Sequence, residues 1–159
     1  MSRLVKIALL VVAVVVGLYV VASFAVSSLT GARIQGNEAS AVSSVRSVQS
    51  AQAVFAAVEC SGLYAPRLTA LGTNGHLSPD LAAADVVEKS GYSITLRASG
   101  AAPDRPDLPA TCASAVPSFV VTAEPVEPGR SGARYFRANE EGQLVEATRA
   151  DFSDATPVR

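Results

Sequence analysis

The sequence predicts an α+β fold: a long N-terminal helix, half transmembrane and half amphipathic, packed on a small antiparallel sheet of 3–4 strands. Three observations predict it. Residues 7–26, IALLVVAVVVGLYVVASFAV, carry no charge. Residues 37–59 contain neither Pro nor Gly and repeat apolar side chains at helical spacing. From residue 92 onward apolar residues alternate with polar ones in short runs broken by Pro and Gly, the period of strands.

The apolar run comes first. Twenty residues at ~1.5 Å each span the ~30 Å hydrocarbon core of a bilayer as a helix. Arg3 and Lys6 precede it, and the next basic residues are Arg33 and Arg46. This asymmetry predicts residues 1–6 in the cytoplasm, 7–29 as the transmembrane helix, and 30–159 on the periplasmic or extracellular side of an inner membrane. Arg3 and Lys6 act in topology alone. A cleaved secretory signal peptide is the alternative, with Ser23-Phe24-Ala25 offering small residues at a cleavage site. The apolar run exceeds the usual ~7–15 residues of a signal core, which favours a retained anchor. Under either reading Cys60 and Cys112 reach a compartment that permits disulfides.

Asn37 to Glu59 continues as an amphipathic helix, with Ala41, Val45, Val48, Phe55 and Val58 on one face and Ser and Gln residues over much of the rest. The simplest reading joins both halves into one helix of about 55 residues, roughly 80 Å long. Residues 60–91 are turn-rich, with one short helix expected over Leu81–Lys89 after Ser78-Pro79-Asp80. Strands are expected from Tyr92 to Ala98 and from Ser118 to Val126. A hairpin is expected from residues 133–138 and 143–147, with Gly142 at positive φ in its turn. Residues 100–117 hold Pro103, Pro106, Pro109 and Pro117 and read as a loop; the residues from Asp151 read as a frayed end.

Composition narrows the function. Of 159 residues 49% are hydrophobic and 17% charged, and the net charge is −1, which excludes a disordered chain and gives no field for nucleic acid. One His and two Cys exclude a Cys/His zinc module. No cofactor is expected. His76 has no nucleophile pattern near it, and no G-x-S-x-G or triad signature occurs, so a non-enzymatic protein is expected. Cys60 and Cys112 lack CxxC spacing and are expected to form a structural disulfide. Asp104 with Asp107, or Asp151 with Asp154, fall short of the six or more oxygens of a calcium loop and read as a solvated acidic face.

Individual residues strengthen the architectural reading. Asn37-Glu38-Ala39-Ser40-Ala41-Val42 resembles a run that follows the membrane-embedded part of the first helix in type IV pilins and type II secretion pseudopilins. Gly62-Leu63-Tyr64-Ala65-Pro66, Lys89-Ser90-Gly91-Tyr92, and Thr122 to Val126 with Arg134-Tyr135-Phe136 and Gly142 resemble later segments of that family, in order. The resemblance implies a pilin-like fold and a structural subunit of a pseudopilus or pilus that assembles with other pilin or pseudopilin subunits through its N-terminal helix. Ala22, Ala25, Ser27, Ser28 and Ala32 would allow close helix approach. The head of the chain departs from the pattern. Val5-Lys6 stands at the family's cleavage junction, Leu10 at its glutamate, and Ser27 where it usually has a kinking proline. A stand-alone anchored or secreted binding module with a pilin-like body is the alternative.

Overall fold

The computed structural model describes residues 3–103, 105 and 107–158, with the side chains of residues 4–9 and 21–28 outside the description. A single helix, α1, runs Arg3–Val58, 56 residues or ~84 Å, without a break at Gly31 or Gly36. A short α2 (Leu68–Thr73) follows. Then come β1 (Val86–Lys89), β2 (Tyr92–Ser99), one 3-10 turn (Ala110–Cys112), β3 (Ser118–Pro125), β4 (Tyr135–Asn139), β5 (Leu144–Ala147) and β6 (Thr156–Pro157). The six strands form one antiparallel sheet in chain order, and α1 lies across β2, β3 and β4.

The core forms where two periods meet. On β2 the alternation buries Tyr92, Ile94 and Leu96; on β3 it buries Phe119, Val121 and Ala123; on β4, Phe136 and Ala138. Ala41, Val45, Val48, Ala51 and Phe55 come down on them from α1 at three- and four-residue steps. Small residues at 41 and 51 let the helix approach the sheet closely. Val58, expected on this face, is 74% exposed. It is the last residue of α1.

Gln52, expected on the polar side, is fully buried. Its amide nitrogen donates to the Ala65 carbonyl and its amide oxygen accepts the Ala65 N–H, both at 2.8 Å. The side chain thus satisfies a stretch of irregular backbone that no strand reaches. Beside it Tyr64 bridges Val116, and the Cys60–Cys112 disulfide, with Cα atoms 5.6 Å apart, clamps the loop before β3 to the end of α1. Gly142 has φ +79°, and its N–H donates to the Asn139 carbonyl, which closes the expected hairpin turn.

Strand count is the correction: six, not 3–4. Residues 86–89, expected at the end of a helix, form β1 and pair with residues 92–95 of β2. Ser90 and Gly91 both take positive φ, +49° and +72°, the backbone of a two-residue hairpin turn whose twist suits the strands it joins. The turn buries Val87, and Lys89 Nζ reaches back to Asp80 at 2.6 Å. The supposedly frayed end forms β6, which pairs with Val145 and Glu146. A proline is tolerated there because an edge strand can spare one N–H.

Two outcomes are expected. Gln52→Leu leaves the Ala65 N–H and C=O buried without partners and should lower unfolding stability by about 2–4 kcal/mol in urea titration. The disulfide closes a loop of 52 residues, so Cys112→Ala should cost about 2–4 kcal/mol. Free thiols at both positions in protein from an oxidising compartment would refute the second.

Candidate functional site

Two regions of α1 have distinct surroundings. From Leu10 to Val20 every side chain is exposed, Leu10 at 66% and Tyr19 at 75%. Fully burying a Val or Leu is worth about 1.5–3 kcal/mol, so apolar exposure on this scale forgoes a large stabilisation. Arg3 opens the helix and is exposed. Lys6 and the small residues Ala22, Ala25, Ser27 and Ser28 lie in α1, with side chains outside the described residues. Among the described residues no helix is long and apolar enough to cross a membrane. The expected span of residues 7–29 falls partly outside them.

Burial begins at Glu38, the first acidic residue of the chain and 4% exposed. Glu38 Oε1 accepts the N–H groups of Ala133 (2.9 Å) and Arg134 (3.2 Å). Oε2 accepts Nε (2.9 Å) and one terminal nitrogen (2.8 Å) of the Arg134 guanidinium. The other terminal nitrogen reaches Glu146 of β5 at 2.5 Å. One residue earlier, Asn37 Nδ2 donates to the Ser131 carbonyl at 2.8 Å. The loop from β3 to β4 is thereby fastened to the helix by its backbone and its arginine together. Burial alone would raise the Glu38 carboxyl. The Ala133 N–H and the Arg134 guanidinium outweigh it and hold the group below its ordinary value of 4.5.

Tyr92 locks the same corner from the sheet. Its hydroxyl donates to the Arg134 carbonyl at 2.8 Å, and burial, then the Glu38 charge, pushes the phenol above its ordinary range. Gly132 is required here: a Cβ would stand 1.9 Å from the Tyr92 oxygen. Glu38 was singled out in the sequence only as part of a motif. The signal available was its isolation, since no other acidic residue precedes Glu59. Its partners lie about 95 residues away, beyond any local pattern.

The remaining candidates do local work. His76 Nε2 lies 2.5 Å from Glu59 Oε1, and Asn74 donates to the other oxygen of Glu59, so this trio fastens the turn after α2 to the end of α1. Asp107 pairs with Arg105, and Asp104 lies outside the described residues. Asp151 accepts the Ser153 N–H, and Asp154 accepts the Thr148 N–H and hydroxyl. These bonds hold both carboxyls below the usual range. Among the described residues no group of three or more His, Cys, Asp or Glu could hold a metal ion. A groove of about 660 Å³ runs along the end of α1 beside Tyr64, Phe119 and Asn139.

The chain matches no protein-family model, no curated protein and no solved structure.

The clamp should be visible in the pH dependence of stability. With its folded value below 4.5, Glu38 contributes fully above about pH 4.5, and the contribution disappears as pH falls through that lower value. Glu38→Gln should cost about 2–4 kcal/mol at pH 7 and flatten the stability profile between about pH 5 and 3. A variant with the wild-type profile would show that Glu38 does not anchor the loop.

Proposed function

We propose that this protein is a non-enzymatic, pilin-like structural subunit of a type II secretion pseudopilus or type IV pilus system. It is held in the inner membrane by residues 7–29, with the sheet domain on the periplasmic or exterior side. The observation that carries the reading is one unbroken helix with two environments. Its second half is built into a sheet domain, while the described side chains of its first half, Leu10 to Val20, are apolar and exposed. Lipid and neighbouring helices of other pilin or pseudopilin subunits are the surroundings such a half suits.

The head of the helix limits how the subunit assembles. A carboxylate within a bilayer is costly unless paired, and a filament that pairs it with a neighbour's terminal amine gains axial register. Leu10 supplies no such charge, and Val5-Lys6 no family-type cleavage junction. Small-residue packing remains, but it tolerates sliding. The protein therefore stays full length and joins assemblies in small amounts, as at a filament end where one inter-subunit contact is not needed.

Mass spectrometry of membrane fractions, with electron microscopy of sheared surface filaments, tests this. The expected result is a membrane-bound chain retaining Arg3 and Lys6, co-purifying substoichiometrically with other pilin-like subunits. Leu10→Glu alone should not produce filaments. A soluble product starting near residue 26 would establish a secreted module, and abundant homopolymers bearing an intact N-terminus would overturn the assembly argument.

A further inference from the structure

Beside the clamp, at the end of the sheet nearer the apolar half of α1, lies an open recess of about 480 Å³. Thr30 and Arg33 line it from α1, Ser90 from the β1–β2 turn, and Arg130 and Ser131 from the β3–β4 loop. The loop is fixed in place. Asn37 holds the Ser131 carbonyl, and the Ser131 hydroxyl accepts the Glu127 N–H at 3.0 Å and donates to the Glu127 carbonyl at 3.2 Å. Arg130 is thus the neighbour of a residue fastened to the helix one turn beyond Arg33, and both arginines line the recess. Arg33 is exposed and has no carboxylate partner among the described residues. Glu127 also lines the recess and meets Arg130 at 3.0 Å, but both are largely exposed, and such a pair contributes little and leaves most guanidinium donors unused.

We propose that this recess holds the phosphate of an anionic phospholipid headgroup, with Arg33 and Arg130 as the two arms that grip it. The inference rests on the anchored reading above. Guanidinium groups present planar, paired N–H donors that match phosphate oxygens, and the Ser90 hydroxyl, which accepts from Ser40, keeps its own hydrogen for an oxygen at the rim. The level on the helix fits. Arg33 stands four residues beyond Leu29, or ~6 Å along the axis, and the polar headgroup layer outside the hydrocarbon is roughly 5–7 Å deep on each side. A helix anchored through residues 7–29 keeps this recess among headgroups at high effective concentration, an advantage that free phosphate lacks. Bound lipid would fix the tilt of the sheet domain over the membrane, because the β3–β4 loop that carries Arg130 is the one the Glu38 clamp fastens to α1.

The test uses the full-length protein in bilayers containing trace spin-labelled phosphatidylglycerol or, separately, spin-labelled phosphatidylcholine. Electron paramagnetic resonance then measures the fraction of each lipid immobilised by the protein. The expected result is a preference for phosphatidylglycerol that falls about fivefold or more in Arg33→Gln/Arg130→Gln. It should be unchanged in Arg67→Gln/Arg97→Gln, two exposed arginines that do not line the recess. No preference in the wild type, or an equal preference in the Arg33→Gln/Arg130→Gln variant, would overturn the inference while leaving the anchor intact. Loss of the preference on adding about 10 mM inorganic phosphate, the concentration scale of a weak anion site, would make the recess a free-phosphate site and overturn the lipid assignment. If neither lipid is immobilised, the chain does not enter the bilayer, and the anchored reading falls first.

Discussion

Glu38 has to be ionised inside the protein, and the geometry around it follows from that need. A buried carboxylate survives only when its lone pairs are filled and its charge is met. Two backbone N–H groups and one guanidinium do both. The arginine, in turn, is shared with Glu146, so helix, loop and β5 meet through one side chain. Replacing the acid by an apolar residue would leave the Ala133 and Arg134 N–H groups unpaired. Replacing the arginine would leave a buried negative charge held by the backbone alone. Each partner makes the other necessary.

The position of this contact explains the shape of the molecule. Below it α1 has described side chains that are apolar and exposed from Leu10 to Val20; above it the same helix is buried against β2, β3 and β4. Gln52 and the Cys60–Cys112 disulfide secure the far end of the buried segment, where the chain leaves the helix and crosses irregular backbone. The sheet domain is therefore fastened to the helix at both ends of one face: by an ion pair at Glu38, and by an amide pair and a covalent bond near its C-terminus. Hydrophobic contact supplies most of the packing between these points, and the polar fastenings set the register.

That register bears on the proposed role. A subunit that transmits force or position along a helix needs its body held at a fixed rotation about that helix. Alternation of Ala, Val and Phe against a smooth sheet face permits sliding by a turn; a bidentate ion pair with two backbone bonds does not. The recess at Arg33 and Arg130 lies on the same fastened loop, so what holds the body to the helix also sets which surface faces the apolar half.

The sequence by itself determined the long helix, since an uncharged run and, ten residues further on, 23 residues free of Pro and Gly leave few other structures. It determined β2 and β3 through period-two alternation and the β4–β5 hairpin through Gly142, because these signals act between near neighbours. It also marked Cys60 and Cys112 as candidates for one bridge. Tertiary structure alone decided the rest. Residues 86–89 are short and equally compatible with a helix end, and only the unpaired edge of β2, reached through Ser90 and Gly91, makes them a strand. Residues 156–157 gain order from β5 in the same way. Gln52 and Gly132 have no distinctive local pattern, and Glu38 stands out only by its motif and its isolation; each takes its meaning from a partner that folding brings to it, Ala65, Tyr92 and Arg134. Local periodicity records which face of an element is apolar, but a buried polar contact depends on two distant positions at once, and that pairing exists only when the chain has folded.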